Sequence, residues 1–225
     1  MSDAINPEIC FADQSIFENL QLDSNNVFDL LGDSLKQKLR SLLDQLHVGN
    51  SPVIHGEVHA TSVIEGPVYI AKGATIGPFT YIVGPCFIDE KAEVRHGAFI
   101  RGNVYVGKQA VVGHTTEVKG SIFGNNAKAG HFAYVGDSVL GDSTNLGAGT
   151  KLANLKMSGS EVKVAHPETK QRIATGLRKL GAILGKESQT GCNAVLSPGT
   201  LLLPGTAVMP CTHYLGTLEK GVAGK

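Results

Sequence analysis

Two cations in this sequence recur at an interval that could bring them together. Arg101 and Lys119 each follow an aliphatic residue, and three repeats of six residues separate them. If coils of that length stack, both side chains leave the same face about 5 Å apart. Stacked cations repel by roughly 1 kcal/mol or more near a surface, so the pair favours a bound anion such as phosphate. The alternative is a solvated pair on an outward-facing strand.

Three histidines show a similar interval. His96, His114 and His131 each lie two residues after an inward position, at steps of about three repeats, and should form a ladder on one face. Three imidazoles could suggest zinc, but a straight ladder at coil separation gives poor tetrahedral geometry, so no metal is predicted. Structural turn roles are expected for His96 and His114. An imidazole can also remove a proton near neutral pH, which makes His131 a candidate general base.

A six-residue period must position these side chains, and it runs through most of the chain. The aliphatic positions are Val58, Ile64, Ile70, Ile76, Ile82, Ile88, Val94, Ile100, Val106, Val112 and Val118, then Phe123, Ala129, Val135, Leu140, Leu146 and Leu152 after two slips of register, and later Leu184, Leu196, Leu202 and Val208. A small residue follows four positions later in most repeats, and glycine often comes directly after the aliphatic residue.

This period matches neither an α-helix nor a simple alternation, and it fits short strands joined by tight turns. Three strands make a triangular coil, and stacked coils bury a continuous apolar axis. The sequence therefore predicts an all-β parallel β-helix of about seven coils over residues 51–215, with residues 216–225 as a C-terminal tail. Residues 156–179 interrupt the repeat and are predicted to form an inserted loop or hairpin that projects from the helix.

The N-terminal segment, residues 1–50, has a different pattern. Leucines from Leu30 to Leu46 follow helical spacing, and the run from Asp23 to Asn26 supplies candidate caps. The expected amphipathic helix would cover an open end of the β-helix, where strand groups lack partners. A dimerisation or partner-binding helix is the alternative.

Composition excludes several classes of protein. Twenty basic and twenty acidic residues cancel, so no global field favours nucleic acid or an anionic membrane. The four cysteines form no CxxC pair, which indicates a reducing compartment rather than a disulfide framework. No apolar run approaches the roughly 20 residues of a membrane span, and no signal-peptide pattern is seen. A cytoplasmic protein is expected.

Two motifs carry a family resemblance. Residues 128–137 contain the pattern AGH-x-x-Y-x-GD, and residues 145–150 contain N-x-G-AGT. With residues 64–215 as a whole, they resemble the acetyltransferase domain of the bifunctional bacterial enzyme that makes UDP-N-acetylglucosamine from glucosamine-1-phosphate. They are also similar to archaeal sugar-phosphate nucleotidylyltransferases that carry the same β-helix. The resemblance to hexapeptide-repeat proteins implies left-handed winding, against the usual crossover preference.

The resemblance also implies roles for single residues. His131 would be the catalytic base, without an acyl-enzyme, and acetyl-CoA would be the co-substrate. The implied substrate-binding residues are Arg101, Lys119, Tyr134, Asn145 and Asn154, with Lys163 replacing a lysine of the bacterial enzymes. The coenzyme would contact the Ala148 backbone and Cys192, and the site would form between subunits of a homotrimer.

Three functions remain open from the sequence. The first is N-acetylation of glucosamine-1-phosphate, with no nucleic acid or membrane partner. The second is acylation of another amino-sugar phosphate such as galactosamine-1-phosphate, since the residues from Leu155 to Gly159 depart from the bacterial pattern. The third is a non-catalytic binding or regulatory β-helix. Because no Gly-rich phosphate loop is found, uridylyl transfer is not expected and would fall to a separate uridylyltransferase.

Overall fold

The structure, a computed structural model, describes residues 4–11, 20 and 25–224. Within them, short strands stack into three parallel sheets of nine, nine and eight strands, named here sheets A, B and C. Each coil except the last contributes one strand to each sheet, so the sheets form the three walls of a prism. The parallel β-helix predicted from the six-residue period is confirmed, whereas its left-handed winding stays a prediction.

The strands alternate among the three walls along the chain. Sheet A contains β1 (Val53–Ile54), β4 (Val68–Ile70), β7 (Cys86–Ile88), β10 (Val104–Val106), β13 (Ile122–Phe123), β16 (Val139–Leu140), β21 (Ala182–Leu184), β24 (Thr200–Leu202) and β27 (Thr217–Leu218). Sheet B contains β2 (Glu57–Val58), β5 (Thr75–Ile76), β8 (Glu93–Val94), β11 (Val111–His114), β14 (Lys128–His131), β17 (Asn145–Leu146), β22 (Gln189–Thr190), β25 (Ala207–Val208) and β28 (Val222–Ala223). Sheet C contains β3 (Val63–Glu65), β6 (Tyr81–Val83), β9 (Phe99–Arg101), β12 (Glu117–Lys119), β15 (Tyr134–Gly136), β18 (Lys151–Leu152), β23 (Val195–Leu196) and β26 (His213–Tyr214).

The aliphatic residues of the repeat form the core along the prism axis. Every predicted aliphatic position from Ile70 to Val208 is buried, and all belong to one apolar cluster. Glycine follows these residues because the next coil lies too close for a side chain. A Cβ atom at Gly107 would lie 2.8 Å from the carbonyl oxygen of Phe123, and one at Gly147 would lie 2.5 Å from the backbone nitrogen of Cys192.

The β-helix is longer than the predicted seven coils. Sheets A and B each contain nine strands, because strands form beyond both ends of the regular repeat. The predicted tail, residues 216–225, is not a tail throughout: β27 pairs with β24, and β28 pairs with β25. The residues packed against the core there are Tyr214, Leu218 and Ala223, which follow one another at intervals of four and five residues, so a strict six-residue period ends too early.

The N-terminal helix begins later than the leucine pattern predicts. A 3₁₀ turn spans Val27–Leu30, and the side chain of Asn26 accepts a hydrogen bond from the Phe28 N–H at its start. Helix α2 covers Gly32–Gln45 and starts without a side-chain cap, while a short helix α1 covers Pro7–Cys10. The break follows from Gly32, whose φ of +63° lies in the left-handed region. Of the predicted caps, Asp23 and Ser24 lie outside the described residues.

Helix α2 packs on the outside of sheet A and not over an open end, so that expectation is wrong. Strands of sheet A carry apolar residues on both faces, as in Cys86-Phe87-Ile88 and Val104-Tyr105-Val106, and the outward members need cover. They form a second apolar cluster with the buried leucines of the helix; its members include Phe87, Tyr105, Ile122, Val139, Ile183, Leu201, Leu35, Leu39 and Leu43.

The insertion forms the predicted hairpin, but it does not project from the helix. Strand β19 (Lys163–Ala165) pairs antiparallel with β20 (Arg172–Ala174). Val164 and Ile173 are buried in the second cluster, so the hairpin lies against sheet A beside α2. Alternation of apolar residues predicts two strands correctly, but it does not show which surface they cover.

Candidate functional site

The candidate residues meet at the corner between sheets B and C. Strand β14 of sheet B ends at His131, and β15 of sheet C begins at Tyr134. Between them, the exposed Phe132 has a φ of +35°, and the buried Ala133 points into the core. The sharp turn therefore places an exposed imidazole on one wall and a phenol on the next, three residues apart.

The predicted histidine ladder is present on sheet B. His114 and His131 are direct partners in the pairing of β11 with β14. The rings of His96 and His114 stack with centroids 5.2 Å apart, and those of His114 and His131 meet edge to face at 5.1 Å. The Nδ1 atoms of His114 and His131 are 3.3 Å apart. Among the described residues, no group of three or more His, Cys, Asp or Glu side chains is arranged to hold a metal ion.

The predicted cation pair lies on sheet C, one coil apart. Arg101 ends β9 and Lys119 ends β12, and these strands pair in register. Each cation already faces a carboxylate: Arg101 Nη1 lies 2.6 Å from Glu117 Oε1, and Lys119 Nζ lies 2.9 Å from Asp137 Oδ1. Both stacked cations are thus paired with protein carboxylates, which the six-residue spacing alone does not indicate.

Asp137 organises the upper part of this cluster. Its carboxylate accepts hydrogen bonds from Lys119 Nζ and from the Asn154 amide, and it is largely buried. The Tyr134 hydroxyl donates to Asn154 Oδ1 over 3.4 Å. Lys119, Tyr134 and Asn154 therefore form one hydrogen-bonded group around a carboxylate. Sequence reasoning missed Asp137 as a functional residue, although it closes the motif at 128–137.

Burial and neighbouring charge set the protonation of this cluster. Burial raises the pKa of the Tyr134 phenol, and the carboxylates of Glu117 and Asp137 raise it further. Tyr134 therefore stays a neutral hydrogen-bond donor across the physiological range. The hydrogen bond to Glu117 raises the pKa of Arg101, so this side chain keeps its positive charge.

A groove of about 560 Å³ runs along the outer face of sheet B. His131, Asn145, Ala148 and Cys192 are among the residues that line it. The Gly149 N–H donates to the carbonyl oxygen of His131 over 3.0 Å, so the turn at Ala148 sits directly against the histidine. The Ala148 N–H has no backbone acceptor within the described part of the chain, while its carbonyl accepts from Asn193. A free donor and an imidazole thus share one groove.

The structure brings the predicted residues together in two sets. His131, Asn145, Ala148 and Cys192 line the sheet B groove, and Arg101, Lys119, Tyr134 and Asn154 lie on the sheet C side of the same corner. Lys163 belongs to neither set. It lies on β19 of the hairpin, where its neighbours Val162 and Val164 pack into the second apolar cluster.

The four cysteines fall into two classes. Cys10 and Cys86 are buried, whereas Cys192 and Cys211 are exposed. Burial raises the pKa of the Cys10 thiol to about 12 and raises that of Cys86 as well. No helix of the described residues has the length and apolar character that a bilayer crossing requires.

Comparisons with known proteins agree with the motifs. Residues 82–170 match the protein family described as GMPPB C-terminal domain. The chain is 44% identical over 79 residues to a bifunctional sugar-1-phosphate nucleotidylyltransferase/acetyltransferase of Sulfurisphaera tokodaii, covering 35% of the chain and 19% of that relative. It is 39% identical over 146 residues to the bifunctional protein GlmU of Methanococcus aeolicus, covering 65% of the chain and 35% of that relative. The chain therefore spans about a fifth to a third of these relatives.

Solved structures add a likeness of fold only. A hexapeptide transferase family protein from Anaplasma phagocytophilum covers 74% of this chain, with 74% of its own length matched, at 16% identity and a TM-score of 0.27. PerB from Caulobacter crescentus, solved with CoA and GDP-perosamine, covers 81% of this chain, with 62% of its own length matched, at 16% identity and a TM-score of 0.28. The relatives named above confirm that this chain, through its β-helix, resembles the bifunctional sugar-phosphate nucleotidylyltransferase/acetyltransferases.

Proposed function

We propose that this chain is an acyltransferase that uses acetyl-CoA to N-acetylate an amino-sugar phosphate, with glucosamine-1-phosphate as the first candidate. The proposal rests on the corner where the two sets of residues meet. There the His131 carbonyl oxygen accepts a hydrogen bond from the turn at Ala148, both residues line the sheet B groove, and cationic and phenolic donors line the adjacent edge of sheet C. The similarity to acetyltransferase-bearing relatives over 65% of the chain supports the same reaction class.

The residues suggest a direct transfer. The sugar amine attacks the thioester carbonyl and forms the C–N bond of a tetrahedral intermediate, whose collapse breaks the C–S bond and expels coenzyme A as the thiolate. His131 accepts the proton that the amine loses and passes it to the thiolate, which leaves as the thiol. The Ala148 N–H would donate to the oxyanion of the tetrahedral intermediate. Arg101, Lys119 and Tyr134 would bind the phosphate and so orient the amine.

A bound phosphate could replace a carboxylate as the partner of these cations. The Arg101 side chain is 44% exposed, and that of Glu117 is 36% exposed, so the ion pair is open to solvent. Exposed ion pairs contribute only about 0–1 kcal/mol, and a doubly charged phosphate can compete with Glu117 for the guanidinium. The Lys119–Asp137 pair is less exposed and would hold its ammonium in place for the same ligand.

Homotrimer formation belongs to this proposal. Sheet A is covered by the chain's own helix and hairpin, whereas the walls that carry the candidate residues, sheets B and C, are not part of that covered cluster. A neighbouring subunit packed beside the corner would turn an open groove into a cleft. Such a cleft would hold acetyl-CoA along its length.

A coenzyme A release assay with purified protein tests the function. Acetyl-CoA would be supplied with glucosamine-1-phosphate, galactosamine-1-phosphate and their unphosphorylated amines. Release that is fastest with glucosamine-1-phosphate supports the proposal, and a preference for galactosamine-1-phosphate corrects the sugar. No release with any of these amines would favour a non-catalytic β-helix.

Replacing Lys119 by Ala should raise the KM for the sugar phosphate about 10- to 100-fold, because a charge-assisted hydrogen bond contributes about 1.5–3 kcal/mol. The KM for acetyl-CoA should change little. Steady-state kinetics with each substrate varied in turn would measure both. Lys108→Ala is the matched control, since Lys108 pairs with Glu90 at 3.4 Å outside the candidate site.

Loss of Lys119 also leaves the Asp137 carboxylate without its cation. The double variant Lys119→Ala/Asp137→Asn removes that uncompensated charge. If the double variant recovers the original KM, the ammonium does not bind the phosphate and the clamp is wrong. A KM that stays raised in both variants supports direct binding.

Protection of cysteines from chemical modification should show where acetyl-CoA binds. We expect maleimide to modify Cys192 and Cys211 in the native protein at least about 100-fold faster than the buried cysteines. Acetyl-CoA should slow modification of Cys192, which lines the groove, more than that of Cys211, which lies on the next coil with its N–H bonded to the Cys192 carbonyl oxygen. Mass spectrometry of digested samples would measure each site. Equal protection of both thiols, or of neither, would count against this position.

A further inference from the structure

We propose that His114 is a positioning residue for His131 and holds it in the tautomer whose Nε2 atom is free to act as a base. This inference rests on the proposed function for its catalytic consequence. Its structural content, one hydrogen bond between two imidazoles with a defined direction, can be tested without turnover. The two Nδ1 atoms lie 3.3 Å apart, and one of them must carry the proton that joins them.

The pairing of strands β11 and β14 brings the two rings together. Strands β11 and β14 are each four residues long, and their pairing extends to His114 and His131 themselves. Gly113 precedes His114, and the absence of a side chain there lets its coil approach the backbone of Gly130, which precedes His131. The contact is thus fixed by main-chain pairing rather than by two free surface side chains.

His114 is the anchored member of the pair. It is half-buried, stacks on His96 with an interplanar angle of 13°, and meets the Phe132 ring edge to face with centroids 5.8 Å apart. His131 is exposed and lines the groove. Because His96 and Phe132 both contact the His114 ring, that ring can orient His131, which is held only by its contact with His114.

The direction of the hydrogen bond decides the chemistry. If His131 Nδ1–H donates to His114 Nδ1, the Nε2 lone pair of His131 is free and can take a proton from the amine. The resulting imidazolium still donates through Nδ1, and this bond becomes stronger because its donor is charged. If the direction were reversed, Nε2 of His131 would carry the proton and could not act as a base.

His114 would therefore do with a neutral ring what a carboxylate does for the histidine of a catalytic triad. The carboxylates at this corner are already engaged, Glu117 with Arg101 and Asp137 with Lys119 and Asn154. That engagement leaves the imidazole of His114 as the hydrogen-bond partner of His131 in this structure.

The kinetic test compares three variants. His114→Phe keeps a ring in the stack but removes both nitrogens, and we expect kcat to fall about 10- to 100-fold with little change in either KM, a fraction of the 10²- to 10⁴-fold that a whole general base contributes. His114→Asn restores an acceptor oxygen and should recover part of the loss. His96→Phe, the matched control one rung away, should stay within about twofold of wild type, since phenylalanine keeps a ring stacked on His114 and the site is exposed. A His114→Phe protein with unchanged kcat would overturn the inference.

Nitrogen-15 NMR of histidine-labelled protein supplies the second readout. In the wild type, the shifts of His131 should report a protonated Nδ1 and an unprotonated Nε2, and in His114→Phe they should move toward a mixture of tautomers. A wild-type His131 protonated on Nε2 would overturn the inference whatever the activity. Absence of acetyl transfer with the expected His131 tautomer present would instead reject the proposed function and leave the hydrogen bond standing.

Discussion

Replacing His131 by Ala is expected to lower kcat for acetyl transfer about 10²- to 10⁴-fold, the contribution typical of a general base. The change removes the only group in the groove that we assign to proton transfer, while Ala148 and the sheet C donors keep their positions. The KM for each substrate should therefore change less than threefold or so. Coenzyme A release under saturating substrates would measure the effect.

The same variant should leave stability almost unchanged. His131 is exposed, so its loss opens no cavity and strands no buried polar group, and the free energy of unfolding should shift by no more than about 0.5 kcal/mol. Thermal unfolding monitored by circular dichroism provides this control. A well-folded His131→Ala protein with full turnover would remove His131 as the base, whichever sugar is used.

Replacing Gly113 by Ala should produce the largest effect on stability. A Cβ atom there would lie 1.8 Å from the carbonyl oxygen of Gly130 and 1.9 Å from its carbon. Both are backbone atoms of the next coil, so no side chain can move aside, and strands β11 and β14 must separate. We expect a loss of about 3 kcal/mol or more, measured by urea unfolding.

Gly130→Ala is the matched control in the same column of sheet B. A Cβ atom at Gly130 meets nothing within 4 Å, so its effect on the free energy of unfolding should stay below about 1 kcal/mol. Equal stabilities of the two variants would contradict the close approach of the coils. If Gly113→Ala folds, it should also weaken the His114–His131 contact, because the same pairing supports both.

The axial core could be predicted from the sequence because it depends on one periodic feature. A residue such as Ile100 or Leu146 must point inward once a coil has a fixed length, and stacking then places Arg101 beside Lys119 without coordinates. The same reasoning places His114 beside His131. In a regular repeat, the interval between two residues in the sequence is enough to show whether they are neighbours in space. In most folds it is not.

The covered wall could not be predicted in the same way, although a signal was present. Runs such as Val104-Tyr105-Val106 are apolar on both faces of a strand, which is typical of a buried sheet. The period concerns only the inward residues, so it does not identify Tyr105 and Phe87 as a surface that needs cover. It therefore predicts that the helix covers the open end of the prism, where strand groups lack partners.

The charges of the candidate site were predicted only in part. Stacking identified Arg101 and Lys119, but the distance from each cation to a carboxylate depends on side-chain rotamers and on the turn that begins at Gly136. Asp137 follows that turn with a φ of +45°, a conformation that no periodic pattern indicates. Lys163 is predicted from family resemblance alone, and the position of its hairpin depends on packing against sheet A, which the repeat does not indicate.

The cover on sheet A also changes how the molecule can come apart. In a bare solenoid each coil touches only its neighbours, so the ends can fray one repeat at a time. Here the N-terminal segment crosses many rungs: helix α2 lies near β7, Gly32 meets Leu177 of the insertion, and the carbonyl oxygen of Cys10 accepts a hydrogen bond from Lys186. The N-terminal segment thus connects distant coils directly. Because unfolding of one end removes contacts from the other, we expect the β-helix to unfold in one cooperative transition, as a compact domain does.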